Sequence, residues 1–427
     1  MKAKRIVSKV ARRFPPSKGY IRHIELQHDE IIGLRQSVKR LEDRNDEWAA
    51  EVRALRGKPE SLKIVWPARP EDIIAADWTN SAAPATTAKK ATPPLKISWV
   101  VPPMGSMSGG HTSIFRTVQY LESKGHECSI YFYDPQSQSS LEAMKDSLKN
   151  YPPIKAKLFY NEQTVADCDA IFATSWHTAY QVVNYKGTAR KYYYVQDFEP
   201  FFDPVGTYST LAENTYRFGF RGITLGSWLS QKLSKEYGMQ CEAVELGVNP
   251  KEYHLLNPKL RKKVLFYARP VTPRRGFELG VLALELFHKE HPEYEIHFLG
   301  WDITPYEVPF PYTNHGILSP EKLNELYNQT AAGLVLSFSN MSLLPLELLA
   351  SGCRPVVNDA KHTRLAGYAD QITYALPTPR DLADALYKVV TQTTEADIKH
   401  MSEFTSKFQW DDSNKKVEDI LLSDLVG

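Results

Sequence analysis

The chain has 427 residues, of which 42% are hydrophobic and 24% are charged, the ordinary values for a soluble globular protein. Its net charge of +2 excludes a nucleic-acid binder that acts through bulk positive charge. Its four singly spaced cysteines argue against a disulfide framework and a zinc site. No apolar run is long enough to span a bilayer and the N-terminus lacks a hydrophobic signal core, so we expect a cytoplasmic protein.

The positive charge is concentrated at the start of the chain. Residues 1–58 contain 15 basic and 8 acidic residues, a balance of +7, so the remaining chain carries −5. The first twenty residues contain seven basic side chains and no acidic one. Two interpretations stay open for residues 1–20: an amphipathic helix that lies on anionic lipid headgroups, or a disordered basic tail.

Residues 24–55 show heptad spacing. Isoleucine or valine occupies four of the five a positions and leucine three of the five d positions, a pattern typical of a parallel two-stranded coiled coil. Asn45 at an a position would specify register and dimer state. The segment therefore predicts a homodimer, and the alternative is one amphipathic helix packed on its own globule. Gly57 and Pro59 end the helix.

The domain order follows from the pattern of elements. We expect a basic head and coiled coil over 1–58, and a docking segment and linker over 59–94. From Leu95 onward, apolar strands alternate with helices, which predicts parallel sheets covered on both faces. A break near 249–260 divides this run into an N-terminal domain (95–255) and a C-terminal domain (256–400). The fold class is α/β, with two Rossmann-like doubly wound domains facing a cleft. A final helix over 401–427 is expected to return to the N-terminal domain.

Ligands bind such sheets beyond the carboxyl ends of the strands, and three loops at predicted strand ends have the same character. The first, 105–110 followed by His111, opens a helix, and its Gly109 and Gly110 let backbone N–H groups approach a ligand. It does not read GxGxxG, so NAD binding is disfavoured. The second, ARPVTPRRGFE, places Arg269, Arg274 and Arg275 where a diphosphate would lie.

The third loop is the stretch SFSNMSLLPLELLASGCRPVV over 337–357. A short loop (Ser339, Asn340, Met341, Ser342, Leu343) precedes a predicted helix over 344–350, and exposed N–H groups there would favour a phosphate. Glu347 lies one turn into this helix, where its carboxylate could accept hydrogen bonds from vicinal hydroxyls. The alternative is a surface glutamate on an ordinary helix.

These motifs carry a resemblance to a known family. GGH after the first strand, RPVTPRRG, ELGVNPKEYH and PLELLASGCRPVV resemble the retaining family 4 nucleotide-sugar glycosyltransferases of GT-B fold. The run YYYVQDFEPFFDPVGTYSTLAENTYRFGF is similar to the WsaF-type rhamnosyltransferases, which act on bacterial surface polysaccharides. The resemblance covers roughly Lys96 to the C-terminus.

The resemblance implies roles for individual residues. Glu347 would hold the donor ribose, Arg269 and Arg275 would neutralise its diphosphate, and Gly109–Gly110 would lie under the phosphates or the sugar. The first glutamate of the family's E-x7-E motif is replaced here by Ser339. Another carboxylate must then contact the sugar. The candidates for the catalytic set are Asp197, Glu199 and His177, as binding or orienting residues rather than proton-transfer groups. Asp197 is preferred, and His177 is expected at the end of its own strand, facing the cleft.

The implied function is retaining, metal-independent transfer of a sugar from a nucleotide sugar, with dTDP-L-rhamnose expected as donor and no cofactor. The acceptor would be a cell-surface polysaccharide or lipid-linked glycan, reached at the inner face of the cell membrane through residues 1–20. The sequence Asp167-Cys168-Asp169 spells a metal-binding DxD, but we interpret it as a turn that enters a strand. Two alternatives remain: a degenerate scaffold that acts through its coiled coil, and a nucleotide-sugar epimerase, which would need acidic catalytic pairs in both halves.

Overall fold

The structure, a computed structural model, describes residues 64–79, 90–104, 108–162, 164–364 and 370–426. The predicted basic head, the predicted coiled coil and most of the predicted linker lie outside these residues. No helix of the described ranges is both long enough and apolar enough to cross a membrane.

The N-terminal domain is built on a parallel sheet whose strands run in the spatial order β3-β2-β1-β4-β5-β6-β7. Every pairing within it is parallel, as the predicted alternation of strands and helices requires. The strands are β1 Lys96–Val101, β2 Glu127–Phe132, β3 Lys157–Tyr160, β4 Ala170–Ala173, β5 Arg190–Val195, β6 Arg221–Leu225 and β7 Cys241–Val244. The helices are α1 Pro70–Ala75, α2 Gly109–Ser123, α3 Leu141–Leu148, α4 Trp176–Val183, α5 Thr207–Asn214 and α6 Ser227–Tyr237.

The C-terminal domain has a second parallel sheet, in the order β10-β9-β8-β11-β12-β13. Its strands are β8 Lys263–Tyr267, β9 Glu295–Leu299, β10 Thr313–Asn314, β11 Thr330–Val335, β12 Arg354–Asn358 and β13 Thr373–Ala375. Its helices are α7 Phe277–Glu290, α8 Pro320–Tyr327, α9 Leu344–Ala350, α10 Pro379–Gln392 and α11 Glu395–Thr405, followed by α12 Trp410–Leu425. Two doubly wound domains are therefore confirmed.

Aromatic side chains fill both faces of the first sheet. On one face, Trp99 stacks on Phe172 with ring centroids 4.1 Å apart, and Phe172 stacks on Tyr192 at 4.9 Å. These rings belong to three adjacent strands, so they form a continuous apolar layer inside the core. The opposite face buries Tyr193 and Trp176. Most of the aromatic residues of this domain therefore serve packing.

The segment 66–79 packs on the outer strands of the first sheet. The backbone N–H of Arg69 donates to the Tyr133 hydroxyl (2.7 Å), and that hydroxyl donates to Asp72 Oδ2 (3.0 Å). Asn184 on the far side donates to the Asp72 carbonyl (2.8 Å). The described part of the connection between β3 and β4 has no helix, so this face of β2 and β3 needs another cover. The segment supplies it, burying Ala68 within the second core.

The end of the chain packs on the N-terminal domain. Helix α12 lies against α2 and β7, and Thr117 of α2 donates a hydrogen bond to Asn414 Oδ1 (2.9 Å). Near the other end of α12, Asp424 Oδ2 faces Arg190 Nη2 at 3.4 Å and Arg221 Nε at 3.5 Å. The preceding helix α11 packs on α9 of the C-terminal domain, so the boundary that we placed at 400 falls inside α11.

Candidate active site

The carboxyl ends of the two sheets face each other and are joined by hydrogen bonds. Asn340 follows β11 of the C-terminal domain, and its side-chain amide donates to the Gln196 carbonyl (2.9 Å) and the Leu225 carbonyl (3.4 Å). Gln196 directly follows β5, and Leu225 is the last residue of β6, so both carbonyls lie at strand ends of the N-terminal domain. The predicted loops of both domains therefore meet at one place, as expected for strand ends in doubly wound sheets.

Asp197 lies at the centre of this contact. Its Oδ2 accepts a hydrogen bond from the Ser339 hydroxyl of the other domain (3.0 Å), and Oδ1 accepts one from the Phe198 backbone N–H (2.8 Å). Burial raises the pKa of Asp197, while the positive charges of Arg275 and Arg274 oppose that rise. The carboxylate thus stands beside the serine that replaces the expected motif glutamate, surrounded by positive charge.

The three predicted arginines form one cluster with different partners. Arg275 Nη1 donates to Ser337 Oγ (3.1 Å), whereas Arg274 Nε lies 4.0 Å from Asp197 Oδ2. The guanidinium of Arg269 lies over the Trp301 ring, 5.5 Å from its centroid. Burial lowers the pKa of Arg274, and the neighbouring arginines lower it further while Asp197 opposes them. Three like charges this close predict an anionic ligand.

Two of these arginines keep buried, unused hydrogen-bond donors. Within the described residues, Nε of Arg269 and Nε of Arg274 have no hydrogen-bond partner, and neither has the hydroxyl of Ser342. Buried donors without partners are costly unless a ligand satisfies them. This part of the site can therefore bind several oxygen atoms of an anion.

The loop geometry around the arginines depends on Gly276. This residue adopts φ +59°, and a Cβ there would come within 2.8 Å of the Phe338 ring. Backbone bonds join the two loops, since Phe338 N–H donates to the Arg274 carbonyl (2.9 Å). Ser337 Oγ in turn donates to the Asn340 carbonyl (2.5 Å). The arginine loop and the 337–340 loop therefore form one rigid surface.

Glu347 lies at another part of the facing edges. Burial, with a further contribution from the charge of Glu252, raises its pKa to about 7, and the positive charge of Arg116 opposes that rise. Arg116 belongs to α2 of the N-terminal domain and binds Glu252 at 2.6 Å. Burial raises the pKa values of Tyr253 and Tyr327, and the nearby charge of Glu347 raises them further. Among the described residues no hydrogen bond to the Glu347 carboxylate is found, so both oxygens can accept bonds from a ligand.

The remaining residues of the third loop divide into two kinds. Met341 is buried in the shared core and Leu343 is the residue before α9, so their side chains serve packing and the helix start. The Asn340 amide binds the N-terminal domain at the domain contact, and the Ser342 hydroxyl is buried in the protein interior. The predicted helix boundaries Leu344 and Ala350 agree with the structure.

Glu199 is placed inside the N-terminal domain rather than at the domain contact. Its carboxylate accepts hydrogen bonds from the Trp176 backbone N–H (2.5 Å) and the Tyr193 hydroxyl (3.1 Å). Burial raises its pKa to about 8. The Tyr216 hydroxyl accepts a bond from the Glu199 backbone N–H (3.0 Å). The geometry gives Glu199 the role of fixing the loop that carries Asp197, and our expectation that it could contact the sugar finds no support there.

His177 is not at the end of a strand as we expected. The strand β4 ends at Ala173, and His177 is the second residue of α4. Its ring stacks on Trp176 with centroids 3.9 Å apart and is partly exposed. Burial lowers its pKa to about 4, so the imidazole is neutral at pH 7. A helix begins at Trp176 instead, because the backbone N–H of the preceding Ser175 donates a hydrogen bond to the Thr178 hydroxyl (3.1 Å).

Gly109 and Gly110 are the first two residues of α2 rather than loop residues. A Cβ on Gly110 would lie 3.4 Å from the Gln196 side-chain amide. The start of α2 therefore lies close to the strand end that is followed by Asp197. His111 Nε2 pairs with the Pro102 carbonyl at 3.1 Å, and Nδ1 is buried without a partner among the described residues. Residues 105–107 lie outside the described ranges.

Four residues at the site were not predicted from the sequence. Phe202 and Trp301 hold arginines through their rings, and Arg116 and Glu252 surround Glu347. Trp301 lies two residues after β9, so the strand-end rule could have identified it. Arg116 lies inside a helix and carries no such signal.

The possible metal motif lies elsewhere. Asp169 precedes β4, and its carboxylate accepts the Lys96 backbone N–H (2.7 Å) at the amino end of the sheet. This edge is opposite the domain contact. In the part of the chain that the structure describes, no group of three or more His, Cys, Asp or Glu side chains is placed to hold a metal ion.

Sequence comparison gives two matches. A family model described as WsaF, C-terminal domain, matches residues 262–387. The O-antigen biosynthesis protein RfbC of Myxococcus xanthus is 32% identical over 354 residues, which cover 80% of this chain and 28% of that protein. The chain thus spans little more than a quarter of the length of this curated relative.

Three solved structures illustrate the architecture that this chain shares. Staphylococcus aureus TarM, solved with UDP, has a TM-score of 0.62 at 10% identity, covering 78% of this chain and 100% of that one. Anabaena HepE, solved with UDP-glucose, has a TM-score of 0.60 at 14% identity, covering 77% and 100%. WaaG, a glycosyltransferase of lipopolysaccharide biosynthesis, has a TM-score of 0.51 at 14% identity, covering 76% and 99%. At these identities the likeness establishes the GT-B fold alone.

Proposed function

We propose that this chain, a WsaF-type protein of GT-B fold, is a glycosyltransferase that moves a sugar from a nucleotide sugar onto a bacterial surface polysaccharide. The observation that carries the proposal is the bond between Asp197 and Ser339. Through this bond the Asp197 carboxylate lies next to Ser339, the residue that replaces the motif glutamate, and beside the arginine cluster. The relative named for O-antigen biosynthesis supports the polysaccharide as the product class.

The donor would lie across the carboxyl edge of the C-terminal sheet. Glu347, whose carboxylate has no hydrogen bond within the described residues, would accept the ribose hydroxyls. Arg269 and Arg275 would neutralise the diphosphate, and the unused hydroxyl of Ser342 would bind one of its oxygens. The sugar would then reach the domain contact, where Asp197 lies. TarM and HepE were solved with uridine nucleotides, which supports a nucleotide in a fold of this kind.

The transfer breaks the bond between the anomeric carbon and the diphosphate oxygen, and the acceptor hydroxyl oxygen forms the new bond to that carbon. Negative charge develops on the departing diphosphate, and the arginine cluster stabilises it. Positive charge develops on the sugar ring, and the partly buried Asp197 carboxylate stabilises that charge. The proton of the acceptor hydroxyl passes to the departing diphosphate. We propose that the configuration is retained and that no metal or cofactor takes part.

We propose dTDP-L-rhamnose as the donor, on the resemblance of the VQDFEP run to WsaF-type rhamnosyltransferases. The choice has a consequence at Glu347. A deoxyribonucleotide offers one sugar hydroxyl where a ribonucleotide offers two, so the carboxylate would accept one hydrogen bond from such a donor. A UDP-sugar, which has two ribose hydroxyls, would use both oxygens of the Glu347 carboxylate.

Three further proposals concern the setting of the reaction. We propose a cytoplasmic protein at the inner face of the membrane, held there by the seven basic residues of 1–20, where a lipid-linked glycan would be its acceptor. We propose a homodimer formed through 24–55, on its heptad pattern. Nucleic acid is not expected as a partner.

The test is a panel of donors. Titration calorimetry with dTDP-rhamnose, UDP-glucose and GDP-mannose should show binding of one donor, and Arg269→Ala should weaken that binding. The exposed Arg380 on α10 offers a matched control, because Arg380→Ala removes a guanidinium far from the site. Absence of binding to every donor would refute the enzyme proposal.

The scaffold alternative makes a different prediction. A degenerate transferase that acts only through its predicted coiled coil would keep its cellular role after Arg269→Ala or Glu347→Ala. Complementation of a deletion strain with these variants separates the two functions. Restored surface polysaccharide would support the scaffold, and its loss would support catalysis.

A further inference from the structure

Phe202 lies in the N-terminal domain and contacts an arginine of the other domain. It ends a short 3-10 helix, Glu199–Phe202, that follows β5. The guanidinium carbon of Arg274 lies 4.0 Å from the centroid of its ring, a short distance for a cation–π contact. This contact crosses between the two domains and adjoins Asp197.

Arg274 differs in this respect from the other two arginines of the cluster. Arg275 donates a hydrogen bond to Ser337 and Arg269 lies over Trp301, and both of these partners belong to the C-terminal domain, although the charge of Arg275 also acts on Asp197. Arg274 instead points to the N-terminal domain. Its partners there are a ring and a carboxylate oxygen 4.0 Å away, and its buried Nε has no hydrogen bond within the described residues.

An aromatic face holds a guanidinium without using its N–H groups. A hydrogen-bonding partner would occupy one or two of the five N–H donors of arginine, whereas a ring leaves them all available. The ring therefore fixes the position of Arg274 and keeps its donors free for an anion. Because the two groups come from different domains, the guanidinium takes this position when the domains are together.

The backbone that carries the Phe202 ring is anchored in the N-terminal domain. The Glu199 carboxylate binds the Trp176 N–H and the Tyr193 hydroxyl, which fixes the start of the 3-10 helix. The Phe201 N–H donates to the Phe198 carbonyl (3.1 Å), which fixes the turn that follows. The N-terminal domain therefore sets where the backbone of Phe202 meets Arg274.

We propose that Phe202 is a positioning residue that presents Arg274 to the departing diphosphate of the donor when the two domains are together. The inference rests on the proposed function, because the anion is the diphosphate of a nucleotide sugar. It adds a residue of the N-terminal domain to a diphosphate site whose other proposed residues, Arg269, Arg275 and Ser342, belong to the C-terminal domain.

The first measurement is the affinity for UDP and dTDP, with turnover of the preferred donor. Phe202→Leu keeps an apolar side chain but removes the π face, and it should weaken binding or lower kcat/KM by about 2- to 30-fold. Phe202→Tyr keeps the ring and should restore most of the loss. Phe201→Leu is the matched control, because Phe201 is half exposed and contacts Phe198 rather than Arg274.

A double-mutant cycle separates positioning from a merely structural role. If Phe202 acts through Arg274, Phe202→Leu should have no further effect in an Arg274→Ala background. Additive losses in the cycle, or an unchanged Phe202→Leu enzyme, would overturn the inference. Should Phe202→Leu lower the Tm strongly, Phe202→Met in the same cycle takes its place. If the wild-type protein binds no nucleotide, the proposed function fails first, a result distinct from a bound nucleotide that ignores Phe202.

Discussion

The two partly buried carboxylates of the site, Glu347 and Asp197, have different partners. Glu347 and its helix come from one continuous stretch of the C-terminal domain, and no described residue donates a hydrogen bond to its carboxylate. Asp197 comes from the N-terminal domain and accepts a hydrogen bond from Ser339 of the C-terminal domain. One carboxylate is open to a ligand, whereas the other is held by the protein itself. This difference agrees with the roles that we propose, donor binding for Glu347 and stabilisation of the sugar for Asp197.

The largest expected effect is at Asp197. Asp197→Asn removes the carboxylate charge but keeps the size of the side chain, and we expect kcat to fall by about 100- to 1000-fold, the usual cost of losing one stabilising group at developing charge. Donor affinity should change less. Steady-state kinetics with the preferred donor measures both, and Glu213→Gln, an exchange in a helical surface ion pair, is the control. An unchanged kcat would remove Asp197 from the reaction.

An exchange variant sharpens the same comparison. Ser339→Glu alone would put two carboxylates side by side and should lower activity, because like charges repel. Adding Asp197→Ser leaves one carboxylate at the contact, now in the position the family motif uses, and should recover part of the activity. If the double variant is no better than either single one, the carboxylate position rather than its presence decides the rate.

The next effect concerns Glu347 and the number of donor hydroxyls. Glu347→Gln should weaken binding of UDP by about 10- to 150-fold, since hydrogen bonds to a charged group contribute roughly 1.5–3 kcal/mol. For dUDP, which lacks the 2′-hydroxyl, the loss should be smaller. Calorimetry with this nucleotide pair measures the difference. Glu325→Gln on exposed α8 is the control, and equal losses for both nucleotides would contradict a ribose contact.

A pH dependence follows from the same carboxylate. Because burial raises the pKa of Glu347 to about 7, it is mostly protonated at pH 6 and mostly ionised at pH 8. A carboxylate accepts ribose hydroxyls better when ionised, so affinity should rise roughly tenfold over this range through this group. Calorimetry at both pH values measures the rise in affinity for wild type and for Glu347→Gln, and the difference between the two rises is the contribution of Glu347. Parallel affinity profiles for the two proteins would show that the ionisation of Glu347 does not affect binding.

Glu199 gives a stability effect at the Asp197 loop. Its pKa is about 8 when folded and about 4.5 otherwise, so the folded state binds more protons between these values. Stability therefore falls as pH rises from about 4.5 to 8, by at most about 1.4 kcal/mol per pH unit. Glu199→Gln cannot titrate, so its Tm should decline less over this range. Thermal melts at pH 6 and pH 8 measure it, and equal declines would contradict a buried protonated carboxyl.

The smallest expected effect is at Ser339. Ser339→Ala removes one of several partners of the Asp197 carboxylate, which keeps the hydrogen bond from the Phe198 N–H and the charges of Arg274 and Arg275. We therefore expect a loss of about 2- to 12-fold in kcat/KM, the roughly 0.5–1.5 kcal/mol that a typical hydrogen bond contributes. Ser230→Ala on α6 is a control hydroxyl outside the site. A loss as large as that of Asp197→Asn would mean that Ser339 has a role beyond orienting Asp197.

Local patterns in the sequence were enough to predict where Glu347 and the arginine loop lie in the fold, after two strands of the second sheet. Alternating strands and helices predicted both sheets, and the helix over Leu344–Ala350 agrees residue for residue. His177 was displaced from its expected strand end because the Thr178 hydroxyl accepts the backbone N–H groups of Thr174 and Ser175 and starts a helix there, and such a cap competes with strand extension.

The partners of the site could not be predicted in the same way. Phe202 and Arg274 lie 72 positions apart in the chain, and Arg116 reaches Glu252 across 136 positions. Such contacts depend on how the two domains meet, and no local periodicity encodes that. The Asp197 assignment is the intermediate case: it rested on the missing motif glutamate, and only the folded chain brings Asp197 to Ser339.

A residue just before the first strand and the residue that ends the last helix lie side by side. The Ala91 N–H donates a hydrogen bond to the Leu425 carbonyl (2.9 Å), just before β1 and at the end of α12. A part whose entry and exit adjoin can be carried inside a longer polypeptide without being pulled apart, as inserted domains commonly are. The same proximity makes this protein a candidate for circular permutation, with new ends placed in an exposed loop of either domain.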